Sequence, residues 1–239
     1  MDIYLNEVTG IADAITTLFF SRRSWTREKE EEIRRVCDAV NDRHGRFIAG
    51  NDEDVRKYNQ WMGQLMKFGQ RHITMLRFID FSFTVQGMHR AGQDDWDSHA
   101  KRFENRIIRS STRLADFGYE MSDWYKGKII PTDLALASLG IELPETLEVD
   151  GQKYIKRING YVREDCKDDR DVKRGLYMLS IPSDFIFKVN LTEFSHVAKE
   201  RNGDGTANPE VKLACETMIE RAHDYQPSVT RELLLMIKN

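Results

Sequence analysis

The strongest constraint on the fold lies in residues 173–212, where a basic pair, an alternating strand, a helix and a glycine-rich loop follow one another with little spare chain. Lys173-Arg174 come first. Phe185, Phe187 and Val189 then alternate with Ile186 and Lys188, a period of two that marks a strand over residues 185–190. Residues 193–201 read as a helix closing on Arg201, and Asn202-Gly-Asp-Gly-Thr206 as the turn that ends it. A strand carries the chain by ~3.3 Å per residue, so this spacing allows Arg174 and Arg201 to converge on one anion.

The pieces Asp171-Val-Lys-Arg174, Leu179-Ser-Ile-Pro182, Asn190-Leu-Thr192, Glu193 through Arg201, and Ala207-Asn-Pro-Glu-Val-Lys212 form an ordered set. In order and spacing they resemble the C-terminal half of the flavin-dependent thymidylate synthases. In that family an acid-x-x-Arg precedes a Leu-Pro-type turn, a strand ends in Asn-x-Arg, and a helix closes with an arginine. Upstream, Leu65-Met-Lys-Phe-Gly69, His72 and Phe81-Ser-Phe-Thr-Val-Gln-Gly87 resemble the family's Gly-His-x-Ser-x-x-Glu-His segment and its Phe-x-Phe strand. The resemblance is clearest over residues 65–113 and 171–226. It implies an α+β fold with helices packed on a mainly antiparallel sheet, in a single domain spanning residues 1–239.

The family's signature, Arg-His-Arg-x-x-Ser-x-Asn-Glu-x-Ser-x-Arg, is degenerate here, and two registers compete. One puts His99 on the family histidine and Ser111-Thr-Arg113 on its Ser-x-Arg. The other, which we prefer, makes residues 89–94 a loop, starts a helix at Asp94 or Asp95 and ends it near Arg106, on the motif's second arginine. Trp96, Ala100, Phe103 and Ile107 would then form that helix's apolar face.

The chain has 239 residues, of which 40% are hydrophobic and 10% aromatic, enough for a substantial core. Charged residues make up 31% but nearly cancel to a formal −3, which excludes a global basic field of the kind that drives non-specific nucleic-acid binding. No nucleic-acid partner is expected, and basic clusters act locally if at all. Cys37, Cys166 and Cys215 are odd in number and lack a C-x-x-C pair, so reduced thiols in a cytoplasmic protein are expected. No signal-peptide pattern opens the chain, and no apolar run approaches the ~18 residues of a membrane span. Asp94, Asp95, Asp97 and His99 are read as acids and a neighbour at a helix start, so no metal site is assigned.

Elsewhere, residues 2–5 suggest a short strand and residues 8–20 a helix capped by Thr9. Residues 27–40 form an amphipathic helix capped by Thr26, with Ile33, Val36 and Val40 inward, and residues 52–68 another with Val55, Tyr58, Met62, Leu65 and Met66 inward. Residues 78–85 alternate as a strand. Residues 134–140 read as a short helix, and Leu147 to Ile155 as a hairpin around Asp150-Gly151. A final helix over residues 208–225 buries Val211, Leu213, Cys215, Met218 and Ile219, and the apolar tail over residues 230–237 suits packing on a neighbour.

By resemblance, Arg174 and Arg201 hold a pyrimidine nucleotide, joined in the first register by Ser111 and Arg113. His72, Thr74, His99, Arg106, Asn190 and His196 match positions that contact FAD, while Thr192 stands where the family has an arginine. The implied activity is conversion of dUMP, or a related pyrimidine nucleotide, to its 5-methyl product, with methylene-tetrahydrofolate and NADPH as co-substrates, in a homotetramer. No catalytic residue is assigned, because this chemistry asks the protein chiefly to position and polarise. Two alternatives stay open: a paralogue that binds nucleotide without flavin chemistry, and a flavin enzyme modifying another nucleobase.

Overall fold

The chain opens with an alternating strand, β1 (Asp2–Thr9), whose Ile3, Leu5 and Val8 are buried. The computed structural model describes residues 1–96, 106–109, 123–131, 139–157, 160–169, 172–173, 176, 182–202 and 208–237. The other elements are α1 (Ile11–Ser21), α2 (Arg27–Val40), α3 (Asp52–Gly69), β2 (Asp80–His89), α4 (Arg90–Trp96), β3 (Arg106–Arg109), β4 (Ile129–Pro131), β5 (Thr146–Val149), β6 (Gln152–Arg157), β7 (Gly160–Arg163), β8 (Pro182–Asn190), α5 (Leu191–Asn202), α6 (Pro209–Tyr225) and α7 (Arg231–Met236). They build one sheet of order β1-β2-β8-β3 and a second of order β4-β7-β6-β5. By contact density the chain divides into two compact units.

The larger unit comprises Asp2–Val85, His99–Arg109 and Phe185–Asn239. Its sheet alternates as the sequence requires: Phe81, Phe83, Phe185 and Phe187 are fully buried, while Ile186 and Ile108, opposite one another in antiparallel β8 and β3, are exposed. Phe194 of α5 packs 5.5 Å from the Phe81 ring and 5.6 Å from Phe83. Each such ring contributes about 1.5–3 kcal/mol by leaving water. The Thr26 hydroxyl accepts from Lys29 N at 3.1 Å and starts α2. The buried Asp54 carboxylate takes both Nη groups of Arg35, at 2.8 and 3.1 Å, tying α3 to α2; those bonds hold Asp54 well below the usual carboxylate range.

The smaller unit comprises Gln86–Ser98, Ser110–Asp184 and Met1. Its antiparallel sheet packs Tyr125, Ile129, Val162, Val172 and Leu176 into a core. The β5–β6 hairpin turns at Asp150 (φ 50°) and Gly151 (φ 71°), the left-handed pair that an Asp-Gly turn supplies.

Several expectations are corrected. β1 runs on to Thr9, and Gly10 rather than Thr9 precedes α1. A φ of 79° there lets the backbone pass so close to Phe78 that any Cβ would sit 1.8 Å from its carbonyl oxygen. Residues 73–78 form a 3-10 turn, so β2 starts at Asp80. Residues 89–94 are no loop: β2 passes straight into α4, and the buried Gln93 amide that made the stretch look polar donates to Met88 O and Ser183 O. Residues 97–105 of the helix expected to end near Arg106 lie outside the described residues. Arg106-Ile-Ile-Arg109 is a strand, because pairing with β8 outweighs the helical spacing of Ile107, and β-branched residues suit a pleated surface. Leu213 is exposed, lying off the α6 face formed by Val211, Ala214, Met218 and Ala222. Val55 is only half-buried, and Trp61 takes the buried place. The tail packs within its own chain: Leu233, Leu234 and Ile237 are buried, and Ser195 Oγ of α5 donates to Leu234 O. Residues 134–138 of the expected short helix, and residues 203–206 of the glycine-rich turn, lie outside the described residues.

Candidate functional site at the β8–α5 junction

β8 passes into α5 without a linker, and the junction is held by side chains the sequence supplies at the turn. Asn190 Oδ1 accepts from Glu193 N at 2.9 Å, satisfying one of the free N–H groups at the helix start. Leu191 N donates to Ile79 O at 2.8 Å. Thr192 Oγ1 donates to Ile73 O at 3.2 Å. Two consecutive residues, Leu191 and Thr192, thus stitch the junction to the chain that leads into β2.

Those bonds draw several of the expected site residues together. Ile73 lies between His72 and Thr74, so both are one residue from the Thr192 bond, and both side chains are exposed. The His72 ring stacks on Phe68, with centroids 4.4 Å apart and planes at 29°. Asp80 follows Ile79, and its Oδ1 takes Arg106 Nη2 at 2.7 Å across the sheet. Arg106 stands opposite Lys188 in the strand register, so its guanidinium is on the same sheet end as Asn190. His72, Thr74, Asn190 and Arg106 therefore share one end of the sheet.

Arg201 does not join them. It is ten residues beyond Leu191, and at 1.5 Å per residue that is about 15 Å along α5. It is buried at the helix's C-terminal end, where a cation meets the negative end of the dipole. His196 lies between, about 7.5 Å along the same axis, and is half-buried. Arg174, Ser111, Arg113 and His99 lie outside the described residues, so the expected convergence of Arg174 with Arg201 does too.

The donor set suits a flavin nucleotide. His72 offers a ring, Thr74 a hydroxyl and Arg106 a guanidinium that spends one Nη on Asp80, leaving N–H donors for a phosphate or a flavin carbonyl. Thr192 is buried with its hydroxyl committed to Ile73, so it brings no cation to the junction. Among the described residues, no three His, Cys, Asp or Glu side chains gather as metal ligands do, and no helix is long and apolar enough to cross a membrane.

Sequence reasoning missed Asp80 and Phe68. Phe68 was within reach, since a Phe and a His four apart at the end of a helical pattern fall on one face. Asp80 carried no local signal, because its partner Arg106 is 26 residues away.

No protein-family model matches the sequence, and no curated protein matches it. Solved structures do match in fold. A crystal structure of the flavin-dependent thymidylate synthase ThyX from Helicobacter pylori, in complex with FAD and dUMP, superposes with a TM-score of 0.51 at 13% identity, covering 96% of this chain and 100% of that one. A second structure of ThyX from Helicobacter pylori, with FAD and dUMP at 2.31 Å resolution, gives 0.50 at 12% identity, covering 96% and 99%. The chain thus has a mixed helix and antiparallel-sheet fold that it shares, over nearly its whole length, with the flavin-dependent thymidylate synthases.

Proposed function

We propose that this protein is a divergent flavin-dependent enzyme of the thymidylate synthase type, binding FAD and a pyrimidine nucleotide of the dUMP class. The observation that carries the reading is the gathering of His72, Thr74, Asn190 and Arg106 at one sheet end, in a fold shared with structures that hold FAD and dUMP.

His72, Thr74, Asn190 and Arg106 would hold the flavin, whose bound reduced form supplies hydride and relays the one-carbon unit. The residues' own work is positional. The Phe68 ring fixes the His72 plane, the Thr192 hydroxyl anchors the backbone between His72 and Thr74, and Asp80 aligns Arg106. Arg201, with Arg174, is assigned to the nucleotide phosphate, where guanidinium forks pair with oxygen atoms. Methylene-tetrahydrofolate and NADPH as co-substrates, a homotetramer, a single functional domain and a cytoplasmic setting complete the proposal.

A second reading is favoured by Thr192. With the cation absent and the hydroxyl bound to the backbone, the protein would bind nucleotide without flavin chemistry. Incubation with FAD, NADPH, methylene-tetrahydrofolate and dUMP, UMP, dCMP or CMP in turn, read by mass spectrometry, separates them. A product heavier by CH2, a methyl group in place of a ring hydrogen, supports the enzyme. Nucleotide binding with no product from any of the four supports the second reading.

A further inference from the structure

The C-terminal ends of α1 and α3 lie side by side, since Phe19 meets Trp61 edge-on at 6.1 Å while Arg22 reaches Gln64 Oε1 at 3.1 Å and lies 5.0 Å over the Phe68 ring. Two kinds of side chain collect there. Phe20 is 66% exposed and Trp25 38%, with their rings 5.8 Å apart. At the same two helix ends stand Arg22, Arg23, Lys67 and Arg71, all exposed, and among the described residues none of the four is in a salt bridge with a carboxylate. Of the acids that follow Trp25 at the start of α2, Glu30 takes the Trp25 indole N–H and is held by Arg34, Glu31 pairs with Arg27, Glu32 pairs with Lys29 and Lys57, and Glu28 is in no salt bridge among the described residues.

Helix dipoles account for Lys67 and Arg22, which sit at C-terminal ends. They do not account for Arg23. Its backbone is left-handed, at φ 55°, where glycine is the usual residue, and Arg23 N and Ser24 N close the helix onto Phe20 O and Phe19 O. A long cation stands at a position that local stability would give to glycine. Nor does a helix end call for two adjacent exposed aromatic rings.

From this juxtaposition of unpaired cations with exposed, neighbouring rings, we infer that this end of α1 and α3 is a binding surface for single-stranded nucleic acid. Cations track the phosphates, and the rings stack on bases without reading their sequence. The near-neutral net charge of the chain does not oppose this, because the field is local. The surface adjoins the candidate flavin site, since Arg22 lies over the Phe68 ring that stacks on His72, but the inference does not depend on the flavin reading.

The test is fluorescence anisotropy with a labelled oligothymidylate of roughly twelve nucleotides, within the ~4–16 that single-strand sites cover. Saturable binding is expected, with log K falling against log salt at a slope of about −3, for four cations at ~0.7 each. Together Arg23→Gly, Lys67→Gln and Arg71→Gln should weaken binding at least about tenfold and flatten the slope. Phe20→Ala with Trp25→Ala should weaken it several-fold and leave the slope unchanged. These side chains are exposed, and an unchanged circular dichroism spectrum verifies the fold. Absence of oligonucleotide binding, variants that bind like the parent, equal binding of a duplex of the same length, or binding of FAD or mononucleotide alone at this surface would each overturn the inference.

Discussion

The hydroxyl of Thr192 donates to the carbonyl of Ile73 at 3.2 Å, so the first turn of α5 fixes the backbone between two exposed side chains, His72 and Thr74. Removing that hydroxyl leaves a carbonyl without its side-chain donor. Thr192→Val should cost about 1–2 kcal/mol in urea denaturation and weaken flavin retention. Thr192→Ser, which keeps the donor, should recover most of both.

Two glycines should respond in opposite senses to the same substitution. Gly10→Ala places a Cβ 1.8 Å from Phe78 O at a φ of 79° and should destabilise by about 2 kcal/mol or more. Gly63, inside α3, has nothing within 4 Å of an added Cβ. Gly63→Ala should stabilise by about 0.5–1 kcal/mol, the ordinary gain in helix propensity. Thermal melts of the two variants beside the parent decide both.

Alkaline pH should destabilise the protein through its buried thiols. Burial pushes Cys37 and Cys215 up to about 12. An acid whose pKa is raised on folding contributes stability that is whole below its unfolded value, roughly 8.5 for a thiol, and is lost as pH climbs toward the folded value. Between those limits each thiol removes about 1.4 kcal/mol per pH unit. Tyr58, raised in the same direction by burial, adds to the loss at the upper end. Urea midpoints measured from pH 8 upward should fall, and less steeply in a Cys37→Ala/Cys215→Ala variant.

Arg174→Ala and Arg201→Ala should each weaken pyrimidine nucleotide binding at least about tenfold, or about 1.4 kcal/mol. Calorimetric titration with dUMP reads the effect. Arg106→Ala should instead weaken FAD and leave dUMP affinity close to the parent's. Unchanged titrations in both variants would remove the nucleotide from Arg174 and Arg201.

The parts of this fold that were legible in the sequence are those whose signals are local. Alternation of Phe185, Phe187 and Val189 placed β8, Thr26 placed the start of α2, and Asp150-Gly151 placed the hairpin. The Arg106 strand escapes a sequence reading because Ile107, which continues a helical spacing from Trp96, lies in a sheet-edge strand through pairing with Phe185 to Lys188, about eighty positions away. The same holds for the site. Asn190 was visible as the end of a strand, whereas the Thr192–Ile73 and Asp80–Arg106 bonds join distant segments and carry no sequence pattern.

The central claim is that the β8–α5 junction belongs to a flavin site, and one visible absorption spectrum tests it most directly. The purified protein is incubated with FAD, freed of excess by desalting, and scanned. The oxidised flavin band is expected to stay with the protein and to be weaker in Arg106→Ala and Thr192→Val. A colourless protein, or a band that both variants retain in full, would contradict it.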